Sequence, residues 1–502
     1  MKGGLHWIDY VIVAAYALGM LALGWFYSRK RTTTDEYFTG GRGMNPFLIG
    51  VSLFATLLST ISYLSKPGEI VKNGPYTLTA VVAVPIAFFV VGYWLIPAFM
   101  KFRLTSAYEL LAKRLGLSSR LIGATMFISL RLMWMAVLLN FAAGALLVMM
   151  GLEEKWLFPA TATIGLIALL YSSLGGLRAV VITDLIQFLL LLGGAIIVLC
   201  IVSVRLDGAS WIPTEWDPNW QKQPVFSMDP FLRLTVIGVI VSQTLWTICT
   251  AGGDQTAVQR YMATTDADAA RKSYLVNSVA TIIVSVVLAL VGLALMAYYR
   301  QFPDQFAPGQ TILGSADKLF PYFIAHQLPA GISGLVVAGM FAAAMSSVDS
   351  GVNSITAVVS SDFIGRFRKK EIDEKAEVRN ARLIAGGVGV CVILCTTLIE
   401  HLPGNLFAVS KRATDLFVTP LFTLFFLALF VRFATAKGAN TGALCGFLTA
   451  ATIAFWNPVF DKENSITFTW INPLALVVGI TVGTIVSYFT PHSKPDPVQP
   501  ST

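Results

Sequence analysis

The sequence predicts an all-α membrane protein of about thirteen transmembrane helices, and three observations carry that prediction. Apolar runs of about twenty residues, each long enough to cross a bilayer, recur from one end of the chain to the other. Charged residues make up 13% of the 502 positions and hydrophobic ones 55%, against about 25% charged in soluble domains. Mean hydropathy is +0.70. In lipid every backbone polar group must be satisfied within the segment, so runs of this length read as helices.

The runs fall at roughly 7–27, 46–71, 76–100, 119–150, 156–174, 178–204, 231–255, 273–299, 329–364, 381–400, 404–431, 439–457 and 468–489. The first follows Lys2 but lacks a small-residue cleavage site, and reads as a retained span. The second crowds Ser59, Thr60, Ser62 and Ser65 into its middle, with Lys66 and Pro67-Gly68 beyond, and reads as interrupted. The third and fifth are plain, while the fourth carries Arg131 and the sixth Asp184. The seventh contains Gly252-Gly253 beside Thr247 and Thr250, a second interruption. The eighth is plain, and the ninth is broken by the polar run AAMSSVDS, Ala343 to Ser350. The eleventh holds Lys411, Arg412 and Asp415, the last spaced to pair with either cation along one helix. The basic stretch Arg366–Arg382 reads as a solvated surface, and residues 491–502, rich in Pro and Ser, as a disordered tail.

An odd number of spans puts the termini on opposite sides. The Lys and Arg clusters at 29–42, 101–120, 260–272 and 366–382 then share one side, and only scattered cations lie on the other. The positive-inside rule makes the clustered side cytoplasmic, with the N-terminus outside and the C-terminus inside, in a plasma (inner) membrane. The formal charge of +8 is accounted for at that membrane face, without nucleic acid as a partner. All five cysteines fall inside spans, so no loop disulfide is implied. There is no GxxxxGK[ST] phosphate loop. His6, His326, His401 and His492 sit near span ends or in the tail, which leaves no buried acid/base or metal cluster and argues against an enzyme. No repeated filter loop supports a channel.

On a helix Ala343, Ser346, Ser347 and Ser350 form one narrow stripe, at i, i+3, i+4 and i+7. Hydroxyl and carbonyl oxygens are what a hard monovalent cation needs once it sheds water. The functional reading is a sodium site; the structural one is a small-residue packing face. Asp349 flanks the stripe by about 60°. Asp184 needs a partner, since an unpaired intramembrane carboxylate costs about 2.5 kcal/mol or more. A bound cation or Arg178 could supply it. The two interrupted spans are five apart and so cross in opposite directions. Matched interruptions in inverted halves are the best sequence pointer to a secondary transporter's binding site.

In this order the motifs resemble the sodium:solute symporter family. They are Asp35-Glu36-Tyr37-Phe38 with Gly40-Gly41-Arg42, Ser52-Leu53-Phe54-Ala55, Pro67-x-Glu69, Thr183-Asp184-x-x-Gln187, Asp254-Gln255-x-x-Val258-Gln259-Arg260, Phe341-Ala342-Ala343-Ala344-x-Ser346-Ser347, and Lys437-x-x-x-x-Gly442-Ala443-x-x-Gly446. The resemblance implies an inverted five-plus-five helix core of the leucine-transporter type. One transporter domain would then comprise a leading helix and inner loop (1–45), a ten-helix core (46–431), two trailing helices (432–490) and the tail. It also implies a main sodium site of Ala55, Leu58 and Ala343 carbonyls with Ser346 and Ser347 hydroxyls. A second site, found in some members, would use Asp184, Ser346, Ser350 and the position of Asp349, where close relatives carry a hydroxyl.

For the solute the resemblance thins. Sialic-acid transporters of the family place a polar residue, a Gln and an Arg where this chain has Leu57, Val81 and Trp134. Ser59, Ser62, Trp246 and Thr247 are the candidate pocket residues, with Arg131 one turn from Trp134. Lys66 and Arg131 are intramembrane cations, which favours an organic anion (a monocarboxylate or sugar acid) as the imported solute. The alternatives are a neutral sugar or polyol symporter and, more remotely, a transporter-like sensor. The expected partners are sodium, one small solute and the bilayer, with the chain acting as a monomer.

Overall fold

The computed structural model describes residues 4–28, 34–58, 60–102, 104–220, 224, 226–232, 234–365, 374–399, 406–456 and 466–491. Ser59, residues 366–373 of the basic stretch and the tail from 492 lie outside the described residues. The principal helices are α1 (Trp7–Ser28), α2 (Pro46–Leu57), α3 (Thr60–Asn73), α4 (Ala83–Val90), α5 (Leu117–Met150), α6 (Leu157–Arg205), α7 (Val236–Gly253), α8 (Gln255–Met262), α9 (Ala267–Gln301), α10 (Ile332–Val358), α11 (Glu374–Ile399), α12 (Leu406–Phe430), α13 (Ala436–Ala454) and α14 (Ile471–Phe489). Helix lies at every predicted span. Ten of the described helices are long and apolar enough to cross a membrane, eleven when the bent pair α2/α3 is one span.

Local sequence explains where helices start and stop. Asn45 caps α2 by accepting from the Phe47 amide at 2.8 Å, with Pro46 at the first position. Thr235 caps α7 and Asp266 caps α9 in the same way. The two predicted spans within α6 meet at Gly176, whose φ of 58° is a left-handed conformation that costs glycine nothing and parts one helix from the next.

Both predicted interruptions exist, and they are alike. Leu58 ends α2 with φ −80°, ψ 120°; Asp254 separates α7 from α8 with φ −91°, ψ 124°. Each is an extended residue at which a helix ends, and Asp254 alone separates α7 from α8. The first break is at Leu58 and not at Pro67-Gly68, because Pro67 is carried inside α3. The second lies directly after Gly252-Gly253, as the sequence indicates.

The core is built around α10, which is buried on nearly every face. Its partner is the second half of α6. A Cβ on Gly339 would come within 2.8 Å of the Leu190 carbonyl oxygen, so only glycine permits this approach. The approach brings Asp184 of α6 beside the polar stripe of α10. Helix α1 lies across both, tied by Asp9, which accepts from the Gly331 and Gly334 amides at 2.7 Å each. Beyond the helix ends, the segment after α6 folds back over α3: Trp220 Nε1 donates to the Val71 carbonyl at 3.0 Å, and Asp217 pairs with Arg300. The hydrogen bond from Arg300 holds the Asp217 carboxyl below the usual carboxylate range.

Candidate functional site

At the first break the helix exposes carbonyls that have no intrahelical partner, and α10 supplies hydroxyls to them. Ser347 donates to Thr56 O at 3.1 Å and lies 3.4 Å from Leu58 O. Ser346 donates to Asp184 Oδ1 at 2.5 Å. A void of about 10 Å³ is lined by Phe54, Ala55, Leu58, Gln187, Phe188, Leu191, Ala343 and Ser346. The structure thus gathers Ala55, Leu58, Ala343 and Ser346 around one void, with Ser347 beside them on the Leu58 carbonyl. A hydroxyl that donates its proton to a neighbour keeps its lone pairs for a cation, so this oxygen-rich set suits a small hard cation.

Next to it the sequence reading needs correction. Arg260, which span counting places in an inner loop, is wholly buried. Its Nε donates to Ser52 Oγ at 2.9 Å, Nη1 to Thr256 O at 3.0 Å and Nη2 to Ser350 Oγ at 2.6 Å, with Asp184 Oδ2 at 3.5 Å. Ser52 also donates to Asp184 Oδ2. The protein partner of Asp184 is therefore Arg260; Arg178 faces Glu36 at 3.7 Å. Of the second candidate set, Asp184 and Ser350 meet across a guanidinium. Asp349 is buried and close enough to act electrostatically on Arg260. The Asp254-x₅-Arg260 spacing was the available signal, because a short helix beginning at a break turns its Arg inward.

A cavity of about 220 Å³ extends from Phe54, Leu57 and Leu58 at the first break to Leu234 and Phe468 at the helix ends. Ser62, Trp246 and Thr247 line it, and so do Leu57, Val81 and Trp134. The Thr247 hydroxyl is engaged in its own helix, donating to Gln243 O at 2.8 Å. Arg131 is a correction. It is absent from the cavity wall and its guanidinium, 4% exposed, is paired with Asp254 and donates to Thr256 Oγ1 at 2.7 Å. Its charge is consumed in closing the second break. Lys411 pairs with Asp415 at 3.2 Å, as helical spacing anticipates, and lies over the Trp246 ring at 5.5 Å.

The opposite end of the bundle is bridged by an ion pair that sequence reasoning did not select and by two residues, Phe38 and Gln259, that it quoted only as motif positions. Arg120 pairs with Asp362 at 2.5 Å, and Ser106 donates to the same carboxylate at 2.5 Å. Gln259 of α8 donates to Phe38 O at 2.6 Å and Asn353 Oδ1 at 2.8 Å, while Ser354 donates back to it at 2.7 Å. A cavity reaches mid-bundle from one end; the other end is bridged by the Arg120–Asp362 pair and the Gln259 amide.

Comparison with known proteins agrees with this geometry. The model of the sodium:solute symporter family matches residues 37–446. The sodium/sialic acid symporter of Proteus mirabilis is 29% identical over 461 residues, covering 88% of both chains. The sodium-coupled monocarboxylate transporter 1 of Mus musculus is 28% identical over 457 residues, 89% of this chain and 72% of that one. A solved Na⁺-coupled sialic acid symporter, substrate-bound and outward-open, superposes with a TM-score of 0.80 at 25% identity, covering 97% of this chain and 98% of that one.

Proposed function

The chain belongs to the sodium:solute symporter family, and we propose that the solute it carries with sodium is a small organic acid. It is a sodium-coupled symporter and an integral membrane protein of the leucine-transporter fold. In our reading sodium binds between the Ala55, Leu58 and Ala343 carbonyls and the Ser346 and Ser347 hydroxyls, and the solute binds in the cavity above. The observation that carries this is a shared element: Phe54 and Leu58 line both the small void and the solute cavity. A cation that orders the end of α2 thereby shapes the cavity floor, which is coupling in the thermodynamic sense.

The acid reading is supported by Lys66 on the cavity wall. It is also supported by relatives whose names give sialic acid and monocarboxylates as their solutes. The cytoplasm would lie at the end bridged by Arg120–Asp362, giving an N-out, C-in monomer of thirteen spans in the plasma (inner) membrane, with residues 46–431 as the transport core. Asp184, Asp349 and Ser350 would form a second cation position only if sodium can share it with Arg260.

Uptake into proteoliposomes tests the reading. Saturable, sodium-dependent uptake of an organic acid is expected. Sodium-driven uptake of a neutral sugar that excess organic acids leave untouched would overturn it.

A further inference from the structure

We propose that Lys66 with Ser285 is the carboxylate-binding subsite of the cavity, and that the acid it takes is polyhydroxylated, a sugar acid and not a plain alkyl acid. The proposal rests on the acid reading above and assigns a place and a chemistry within it.

The place follows from tracing where each nearby positive charge goes. Arg131 is spent on Asp254 and Lys411 on Asp415. Lys66 differs from both. Its Nζ donates to the Ser285 hydroxyl at 2.7 Å, and no carboxylate among the described residues lies within ion-pair distance of it. The neighbouring Glu69 accepts from the Asn73 amide at 2.7 Å. An ammonium has three donors, and this one uses a single donor on a neutral partner. An uncompensated cation within a membrane-embedded cavity is costly and marks a ligand's path. Ser62 stands one turn earlier on the same side of α3 and also lines the cavity. Lys66 and Ser62 on α3, with Ser285 on α9, therefore converge as an ammonium flanked by two hydroxyls, a set suited to a carboxylate. The wall at Trp134 on α5 offers no cation.

The chemistry of the solute's body follows from the facing wall. Trp134, Ser242, Trp246 and Thr250 line the cavity, and their Nε1, Oγ, Nε1 and Oγ1 atoms lie just behind its surface with no hydrogen-bond partner among the described residues. Each such group left unpaired is destabilising. Indole N–H groups only donate, so they need acceptor oxygens. A solute whose body is an alkyl chain leaves all four unanswered; ring or chain hydroxyls answer them, and a site built to pair a hydroxyl rejects an analogue lacking it.

The test uses the full chain, purified, in thermal-shift titrations in sodium. The probes are D-gluconate, D-glucuronate and sialic acid, with gluconamide as the neutral counterpart and hexanoate as the alkyl acid. At least one hydroxylated acid should stabilise the wild type, with hexanoate and gluconamide at least about tenfold weaker. Lys66→Gln should lose that stabilisation by about tenfold or more, and Lys66→Arg should largely restore it. The shift produced by sodium alone should persist in both variants, which reports that they fold. Unchanged acid affinity in Lys66→Gln overturns the subsite while leaving the acid reading intact. Gluconamide binding as tightly as gluconate overturns the acid reading itself. Hexanoate matching the best sugar acid, or no response to any of the three, overturns the hydroxylated body.

Discussion

Removing the two hydroxyls that face the broken helix, Ser346→Ala with Ser347→Ala, separates the cation site from the rest of the machine. In the structure Ser347 reaches Thr56 O at 3.1 Å and Ser346 reaches Asp184 Oδ1 at 2.5 Å. A hydrogen bond or dipole contact to a charged group contributes about 1.5–3 kcal/mol. Loss of both hydroxyls from a bound cation then comes to about 3–6 kcal/mol, or about 10² to 10⁴ in sodium affinity. The fold should tolerate the change. Asp184 keeps Ser52 and Arg260, and α10 remains buried through its apolar and glycine contacts. The assay is solute uptake into proteoliposomes across a sodium titration, with monodispersity checked on the same sample. Sodium activation should move beyond the accessible range while protein yield stays near normal. Undiminished, still sodium-dependent uptake in the double variant refutes the reasoning.

Asp184→Asn leaves Arg260 buried beside a neutral group, so it should cost about 3–5 kcal/mol of stability. If sodium shares the site, the Hill coefficient for sodium should also fall toward one; a wild-type coefficient already at one would make Asp184 structural. Arg131→Gln should be comparably destabilising because Asp254 is left buried without its cation, and adding Asp254→Asn should recover much of the loss in thermal unfolding. An Arg131→Gln protein as stable as wild type yet inactive would return Arg131 to the solute. Outside the membrane, the Asp217–Arg300 tie has a pH dependence of known sign. The Asp217 carboxyl is held below its ordinary value, so the tie is complete above about pH 4 and lost only as pH falls through the lowered value. Hydrogen-exchange protection at residues 216–220, taken relative to the intrinsic rate at each pH, should therefore be flat from neutral to mildly acidic pH, and Asp217→Asn should lower that protection, raising the exchange rate, at pH 7. An unchanged exchange rate in that variant would refute the tie.

How much of this could be read from the chain depends on the range of the interaction. Periodicity acts within a segment, and it located the helices and the Ser346/Ser347 stripe. It also found the Lys411–Asp415 pair, which is one turn apart on a single helix. Breaks are local too: Gly252-Gly253 marks one, and the crowd of hydroxyls that begins just after Leu58 marks the other. What composition and spacing could not supply is pairing between helices far apart in sequence. Arg131 meets Asp254, Arg260 meets Asp184 and Arg120 meets Asp362. None of these pairs has a helical register to betray it.

That asymmetry changes how an intramembrane cation should be weighed. Insertion cost makes each one a functional candidate, yet the cost is cancelled whenever a carboxylate from another helix completes a buried pair. Arg131 and Lys66 are both intramembrane cations in sequence, and of the two Arg131 is the one the sequence nominates for the pocket. Packing gives Arg131 a carboxylate across the second break and gives Lys66 only the Ser285 hydroxyl at the cavity wall. The case for an acidic solute therefore survives the loss of Arg131 and moves by its own logic to α3. This is the half-helix that follows the first break, beginning just past the carbonyls assigned to sodium. Charge compensation by the solute and ordering by the cation then act on the two sides of one break. A symporter needs that arrangement if neither ligand alone is to stabilise the closed, occupied state.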